Sequence, residues 1–205
     1  RGHIRDNYTT ANSATLAKVT FLDGVHIEGI GFEPSVGGGT NAAVMWLRYV
    51  RNVLVNDCQF KGHAGSGLFL DGALGFDVER VFGQDGREDT SFGYTINAAG
   101  PSQGGSVHNC HSQSGHALFT TNGSSLGGVP RSINVSDCTA IYQGDSPFHT
   151  HNACEDIVFS DCQVTGSRTA ADTSAYAPAF HLAGKNSKII DPVVNGCYGR
   201  AIFID

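Results

Sequence analysis

The sequence lacks the features of a helical or membrane-spanning protein. It has one methionine, few lysines, few leucines and no long segment with helical hydrophobic periodicity. No apolar run approaches the ~18 residues that a transmembrane helix needs. We therefore predict at most a minor content of helix and no membrane-spanning segment.

The chain is also poor in positive charge. It contains 13 Lys and Arg against 19 Asp and Glu, which gives a formal net charge of −6. Nucleic acids and anionic membranes are both bound by a cationic stripe, so we predict no nucleic-acid partner and no membrane partner. The six cysteines include no C-x-x-C pair, which argues against a metal bound through cysteine.

A short apolar pattern recurs along the chain every 23 to 31 residues. It consists of an apolar residue, a second one two positions later and a small apolar residue three positions after that, as in Ile133-x-Val135-x-x-Cys138. The last positions of its copies are Ile30, Cys58, Val81, Cys110, Cys138, Cys162 and Val193. A period in this range is typical of a solenoid, in which each repeat buries its apolar face by stacking on its neighbours.

A five-residue strand accompanies each repeat, and its copies span residues 43–47, 67–71, 93–97, 117–121, 147–151, 179–183 and 201–205. Alternate side chains on a strand point to opposite faces. We therefore predict that the second and fourth residues of each copy face the core and that the third and fifth face outward. The inward set then includes Trp46, Tyr94 and Thr120, and the outward set includes Phe119 and Thr121.

Together the two patterns predict an all-β fold, a single-domain right-handed parallel β-helix of about seven rungs that spans residues 1–205. The 27 glycines suit a chain that turns several corners in each rung. The hand follows the general rule for parallel crossovers. Because the pattern continues to Asp205, we expect a fragment of a longer chain whose open ends are covered by flanking domains or by a partner.

Four of the cysteines fall in one inward column of the predicted solenoid: Cys58, Cys110, Cys138 and Cys162. A buried cysteine behaves as a small hydrophobic residue. The β-carbons of a stacked column run parallel, which suits the disulfide torsion poorly. We therefore predict free buried thiols.

Outward carboxylates are the first candidates for catalysis. Glycoside hydrolysis usually needs two, about 5–5.5 Å apart for retention or about 6.5–9.5 Å for inversion. Asp71 lies on a strand, Asp85 and Asp89 lie in the next turn, and Asp145 lies just before the 147–151 strand. We predict catalytic roles for these four, with Asp71 meeting Asp85 or Asp89 across a rung or two. The alternative is that acidic residues in glycine-rich turns are simply solvated.

Histidines converge on the same predicted face. His149 and His151 point the same way from one strand, His181 should lie one rung from His149, and His116 precedes the neighbouring strand. Such imidazoles could orient sugar hydroxyls, transfer protons near neutral pH or hold Zn²⁺. We predict that His149 and His151 are catalytic and that His116 and His181 bind substrate, with no metal and no cofactor.

One outward row should climb this face by about 4.8 Å per rung. We predict that it contains Asp71, Asn97, Thr121 and His151, with Asn97 and Thr121 as substrate contacts. The other predicted substrate contacts are aromatic platforms and one cation: Phe69, Phe119, Tyr176 and Arg87.

Several rungs resemble those of the right-handed β-helix proteins of the pectate-lyase-like superfamily, as in Arg131-Ser-Ile-Asn-Val-Ser-Asp-Cys138 and Glu155-Asp-Ile-Val-Phe-Ser-Asp-Cys162. The stretches 116–123 and 146–151 are similar to modules of phage tail spikes and secreted polysaccharide-degrading enzymes. This resemblance implies a polysaccharide partner, an extracellular or virion-surface location and a possible homotrimer. Mannuronan C5-epimerases carry Tyr-Gly-Phe-Asp-Pro-His, which 146–151 matches only at Phe148 and His151.

The resemblance leaves the function open, because this fold hosts hydrolases, lyases, epimerases and adhesins. Lyases and epimerases that act on uronates must neutralise a carboxylate, normally with Arg, Lys or Ca²⁺. The predicted face offers only Arg87 and Arg168, and the chain is acidic. We therefore expect hydrolysis of a polysaccharide, with a lyase or epimerase, or a non-catalytic glycan-binding adhesin, as alternatives.

Overall fold

The computed structural model describes residues 20–33, 43–86, 93–122, 127–151, 153–167, 177–197 and 199–205. The described part of the chain forms β-strands, all paired in parallel, and its strands build three sheets. No helix in this part is long and apolar enough to cross a membrane. The Arg87, Asp89 and Tyr176 sites predicted above lie outside the described residues.

The three sheets form the walls of the solenoid. Sheet A consists of β1 Leu22–Asp23, β2 His26–Glu28, β5 Val50–Asn56, β8 Leu74–Glu79, β11 Gln103–His108, β14 Arg131–Ser136, β17 Glu155–Ser160 and β20 Lys188–Ile190. Sheet B consists of β3 Gly31–Phe32, β6 Gln59–Lys61, β9 Phe82–Gln84, β12 His111–Gln113, β15 Thr139–Gln143, β18 Gln163–Ser167 and β21 Val193–Asn195. Sheet C consists of β4 Met45–Arg48, β7 Ser66–Asp71, β10 Tyr94–Ala99, β13 Ala117–Asn122, β16 Phe148–His149, β19 Phe180–Leu182 and β22 Ile202–Ile204.

The chain passes through sheets A, B and C in turn and then begins the next rung. Each strand pairs with the strand that follows it by one full turn of the chain, so β7 lies between β4 and β10. Sheets B and C contain seven strands each, which defines seven rungs. The predicted single-domain right-handed parallel β-helix is therefore confirmed.

The corner between sheets A and B is a two-residue turn whose first residue has a positive φ in every rung. These residues are Gly29, Asp57, Arg80, Asn109, Asp137, Asp161 and Asp191. Glycine, asparagine and aspartate adopt the left-handed region at least cost. Local backbone preference therefore favours this corner in every rung except that of Arg80, and in the five central rungs the corner brings the next residue into the core.

The column that follows this corner contains the predicted cysteines. Cys58, Cys110, Cys138 and Cys162 are buried and free, as the sequence predicted. Each thiol lies within hydrogen-bonding distance of the carbonyl two residues earlier, as Cys138 Sγ does at 3.1 Å from the Ser136 oxygen. Each thiol thus has a local hydrogen-bond acceptor while its side chain fills space in the core.

Two rungs of sheet C are shifted by one residue from the predicted register. In the inward column Met45, Leu68, Ile96, Phe119 and Phe148 are register partners. Phe119, predicted to face outward, is therefore fully buried, and Trp46, predicted to face the core, is 54% exposed. The preceding loops differ in length, and a shift of one residue reverses every side chain of a strand.

Candidate functional site

The outer face of sheet C gathers the histidines that the sequence singled out. We call His116, His149, His151, His181 and Asp145 the histidine cluster. His149 and His181 are register partners in neighbouring rungs, as predicted, and their ring centroids lie 4.6 Å apart. His151 follows on the same strand path, with its ring 4.3 Å from that of His149.

Asp145 and His116 enter the cluster from the corner between sheets B and C. The backbone N–H of Asp145 donates to the His116 carbonyl at 3.1 Å, and that of His116 donates to Gly93 at 3.1 Å. This ladder places the corner residues of three rungs directly above one another. The side chains of His116 and Asp145 are in contact as well, because His116 Nε2 lies 2.9 Å from Asp145 Oδ2.

Tyr94 begins its strand at the same corner and is buried, as the sequence predicted. Its ring meets that of His116 edge-on, with centroids 5.1 Å apart. Burial, and next the charge of Asp145, raise the pKa of Tyr94 to about 12. A glycine precedes Tyr94 and His116, and another precedes Asp145. That repeated glycine was the sequence signal for this column, and it was missed.

The C-terminal side of the cluster carries a second carboxylate. His181 Nε2 lies 3.3 Å from Asp205 Oδ2, and the His181 ring lies 5.1 Å from that of Phe203. Arg200 places its guanidinium 5.1 Å from the Phe203 ring centroid. Sequence reasoning assigned no function to Asp205 or Arg200, because both lie beyond the histidine-bearing strands.

Protonation differs sharply among these groups. Burial, followed by the charges of His151 and His181, lowers the pKa of His149 to about 4. Burial also lowers the pKa of His151. Burial alone would raise the pKa of Asp145, but its contact with His116 outweighs this and the net pKa is lowered. At neutral pH the cluster therefore combines the ionised carboxylate of Asp145 with neutral His149 and His151.

Three nitrogen atoms of the cluster are buried without a hydrogen-bond partner: His116 Nδ1, His149 Nδ1 and His151 Nε2. A buried polar atom without a partner costs free energy. The cluster therefore contains three nitrogen atoms that have no partner within the protein. Among the described residues, no group of three or more His, Cys, Asp or Glu side chains has the arrangement of a metal site.

The predicted outward row does not form. Asp71 pairs with Ala99, two residues beyond Asn97, so the two do not stack. Thr121 belongs to the inward side, beside Ala98, and its hydroxyl accepts a hydrogen bond from the His151 backbone N–H at 3.0 Å. Asn97 does face outward, opposite Phe69, yet it is only 5% exposed. The register that buries the apolar columns determines each of these positions.

The predicted pairing of Asp71 with Asp85 is also wrong. Asp71 is the last residue of β7, whereas Asp85 precedes the start of the next sheet C strand. The two carboxylates thus lie at opposite ends of sheet C, roughly five residues or ~16 Å apart along the strands. Asp85 is an exposed corner residue with a φ of 50°, which accounts for an aspartate there.

Asp71 instead forms an ion pair. Its carboxylate is 1% exposed, and Arg48 Nε lies 3.3 Å from Oδ2. It lies three rungs from His149, about 14 Å along the solenoid. Phe69 lies in the same region, against Trp46, and Phe119 is in the core. The structure therefore brings together Asp145, His116, His149, His151 and His181 and leaves the other described candidates outside the cluster.

No protein-family model, curated protein or solved structure matches this chain.

Proposed function

We propose that this protein is a carbohydrate-active β-helix of the pectate-lyase-like type, which binds a polysaccharide and hydrolyses its glycosidic bonds at the histidine cluster. The observation that carries the proposal is the 2.9 Å contact of Asp145 with His116, which lowers the pKa of a partly buried carboxyl beside neutral His149. An ionised carboxylate among unpartnered nitrogen atoms suits sugar hydroxyls and a reacting water.

In the proposed reaction Asp145 is the general base. It takes a proton from water as the water oxygen attacks the anomeric carbon, and the bond from that carbon to the leaving oxygen breaks. The leaving oxygen receives a proton from His181, whose Nε2 lies 3.3 Å from Asp205 Oδ2. His149 lies between the two groups and holds the sugar through its ring nitrogens.

The arrangement of the acid–base groups favours inversion at the anomeric carbon, because they lie on opposite sides of the His149 ring. A retaining enzyme needs its carboxyl groups about 5–5.5 Å apart, whereas an inverting one leaves room for a water molecule. The described cluster has one carboxylate at each side, Asp145 beside His116 and Asp205 beside His181, with the His149 ring between. We therefore propose an inverting mechanism.

A second candidate, elimination from a uronate polymer, is favoured by Tyr94, His149 and Arg200. A neutral His149 can remove the proton next to the sugar carboxylate, and Tyr94, with its pKa raised to about 12, can protonate the leaving oxygen. Arg200, beside Phe203, is a cation at the edge of the cluster that can pair with that carboxylate.

A panel of neutral and uronate polysaccharides separates these functions. Hydrolysis releases reducing ends without absorbance near 232 nm, and elimination produces both signals. If neither signal appears while the protein is retained on a glycan affinity gel, the protein is a binding module and the catalytic proposal fails. On the hydrolytic proposal the protein acts outside cells or at a virion surface, where such polymers occur.

A further inference from the structure

Sheet C carries a second group of aromatic and charged side chains in its first two rungs. Trp46 and Phe69 are register partners with ring centroids 5.5 Å apart. Arg48 and Asp71 are register partners two residues further along, with Nε and Oδ2 3.3 Å apart. The Arg48 guanidinium also lies 5.5 Å from the Trp46 ring centroid. We call these four residues the Trp46 patch.

The patch is separate from the histidine cluster. Trp46 and His149 occupy the same outward column, four rungs or about 19 Å apart. Asn97 and Thr120 lie between them in that column and are only 5% and 0% exposed. The exposed part of the column is thus interrupted, and the Trp46 patch is not a continuation of the cluster.

Two independent features of the patch suit a polar ligand with an apolar face. Trp46 is a large aromatic side chain that is 54% exposed. Asp71 is 1% exposed, and its Oδ1 has no hydrogen-bond partner. A buried carboxylate oxygen without a donor is costly, and a ligand hydroxyl would supply the donor.

We propose that the Trp46 patch is a second glycan-binding site that takes a sugar ring of a neutral polysaccharide. The apolar face of the ring stacks on the indole, and its hydroxyls accept hydrogen bonds from Arg48 and donate to Asp71. Because Arg48 and Asp71 neutralise each other, the patch favours an uncharged sugar. The inference rests on the proposed function for the ligand class, but it requires no catalysis.

Trp46 is the only tryptophan in the chain, so its fluorescence reports directly on the patch. Titration with soluble dextran, galactomannan and mixed-linkage β-glucan should shift the Trp46 emission saturably with at least one of them. Polygalacturonate and alginate should act at least tenfold more weakly. An emission spectrum that no neutral polymer changes would overturn the proposal.

Affinity gels test directly whether Trp46 contributes to glycan binding. Trp46→Ala should weaken retention by tenfold or more on the polymer that shifts the emission, and Trp46→Tyr should retain part of the binding. Tyr142→Ala is the matched control, because Tyr142 is an aromatic residue of sheet B that is 59% exposed. Melting curves confirm that each variant folds. Retention of Trp46→Ala equal to that of the wild type would refute the site.

A further pair of measurements separates this inference from the proposed function. His149→Gln should abolish cleavage and leave the Trp46 titration unchanged. If the wild-type protein cleaves no polymer but Trp46 still titrates, the catalytic proposal fails and the binding site stands. If cleavage occurs and Trp46 does not respond, the binding site fails alone.

Discussion

His149 and His181 stack across neighbouring rungs with their rings 15° from parallel and their centroids 4.6 Å apart. His151 adds a third ring 4.3 Å from His149. A positive charge on His149 is therefore opposed first by burial and then by its two neighbours, and its pKa is lowered to about 4. His149 therefore stays neutral at pH values where an ordinary histidine is protonated.

The first prediction concerns the pH dependence of activity. If neutral His149 is required, kcat/KM should stay level through pH 6.5 and decline only as the pH approaches about 4. His151→Gln removes one repulsive neighbour and should move this acid limb to higher pH. Rates are measured from pH 3.5 to 8, with melting curves to show that the protein is folded. An acid limb centred above pH 6.5 would contradict the assignment.

The second prediction tests Asp145 as the base. Asp145→Asn should lower kcat by about 10²–10⁴-fold, since the amide cannot accept the proton. The melting temperature should fall only slightly, because the contact with His116 remains as a neutral hydrogen bond. Asp161→Asn is the matched control, because Asp161 is an exposed corner residue whose φ of 53° asparagine also tolerates. Equal loss in both variants would exclude a catalytic role.

The third prediction concerns His63, which is 1% exposed inside the corner between sheets B and C. Burial lowers its pKa from 6.5 to about 4. The unfolded chain then binds a proton that the folded chain does not, so stability falls as the pH drops from about 6.5 towards 4. His63 should account for about 2 kcal/mol of unfolding free energy lost between pH 7 and 5.

Urea unfolding of the wild type and His63→Gln at these two pH values checks this prediction. The glutamine does not titrate, so the variant should lose about 2 kcal/mol less than the wild type between pH 7 and 5. The deciding quantity is the change in unfolding free energy between the two pH values, and not the absolute stability of the variant. Identical pH slopes for the two proteins would show that His63 does not titrate as proposed.

The fourth prediction concerns Gly105 in β11. A Cβ at this position would lie 2.2 Å from the ring of Phe76, which fills the space below it. Gly105→Ala should therefore lower the unfolding free energy by about 1–3 kcal/mol through overpacking. Gly31→Ala is the control, because a Cβ there meets nothing within 4 Å. Chemical denaturation of both variants should show the loss only at Gly105.

The fifth prediction concerns the cysteine column. Thiol titration of the denatured, unreduced protein should find six free thiols. Cys138→Asp should cost several kcal/mol because it buries an unpaired charge, and Cys138→Ala should cost much less. Recovery of only two free thiols after denaturation would mean that the four column cysteines are oxidised, and the column assignment would then be wrong.

The sequence predicted the rungs well because the signals for sheets A and B are local. A residue suited to a positive φ, such as Asp137, fixes the corner, and Cys138 immediately after it faces the core. The turn between sheets A and B has two residues in every rung, so the column residue directly follows the corner residue. No long-range information is needed to place these residues.

Sheet C was harder to predict because loops of unequal length precede its strands. The alternation of apolar residues near Trp46 and Phe119 fits two registers that differ by one residue, and only packing against the other sheets distinguishes them. The histidines were placed correctly on one face because the register of His149 and His181 was predicted correctly. The ion-pair partner of Asp71 was not predicted, because Arg48 lies on the strand of Trp46, whose register was shifted by one residue. The contact of Tyr94 with His116 was not predicted because an aromatic residue in a strand usually indicates only a core position.

The two-residue turn between sheets A and B has the same length in all seven rungs, from 29–30 to 191–192. The variation in repeat length therefore falls entirely at the corners on either side of sheet C, which bears both the histidine cluster and the Trp46 patch. Segments at those corners can be lengthened or exchanged without altering the stacking of sheets A and B. The solenoid thus separates an invariant scaffold edge from an adaptable one, so recognition can diversify while the winding of the chain stays unchanged.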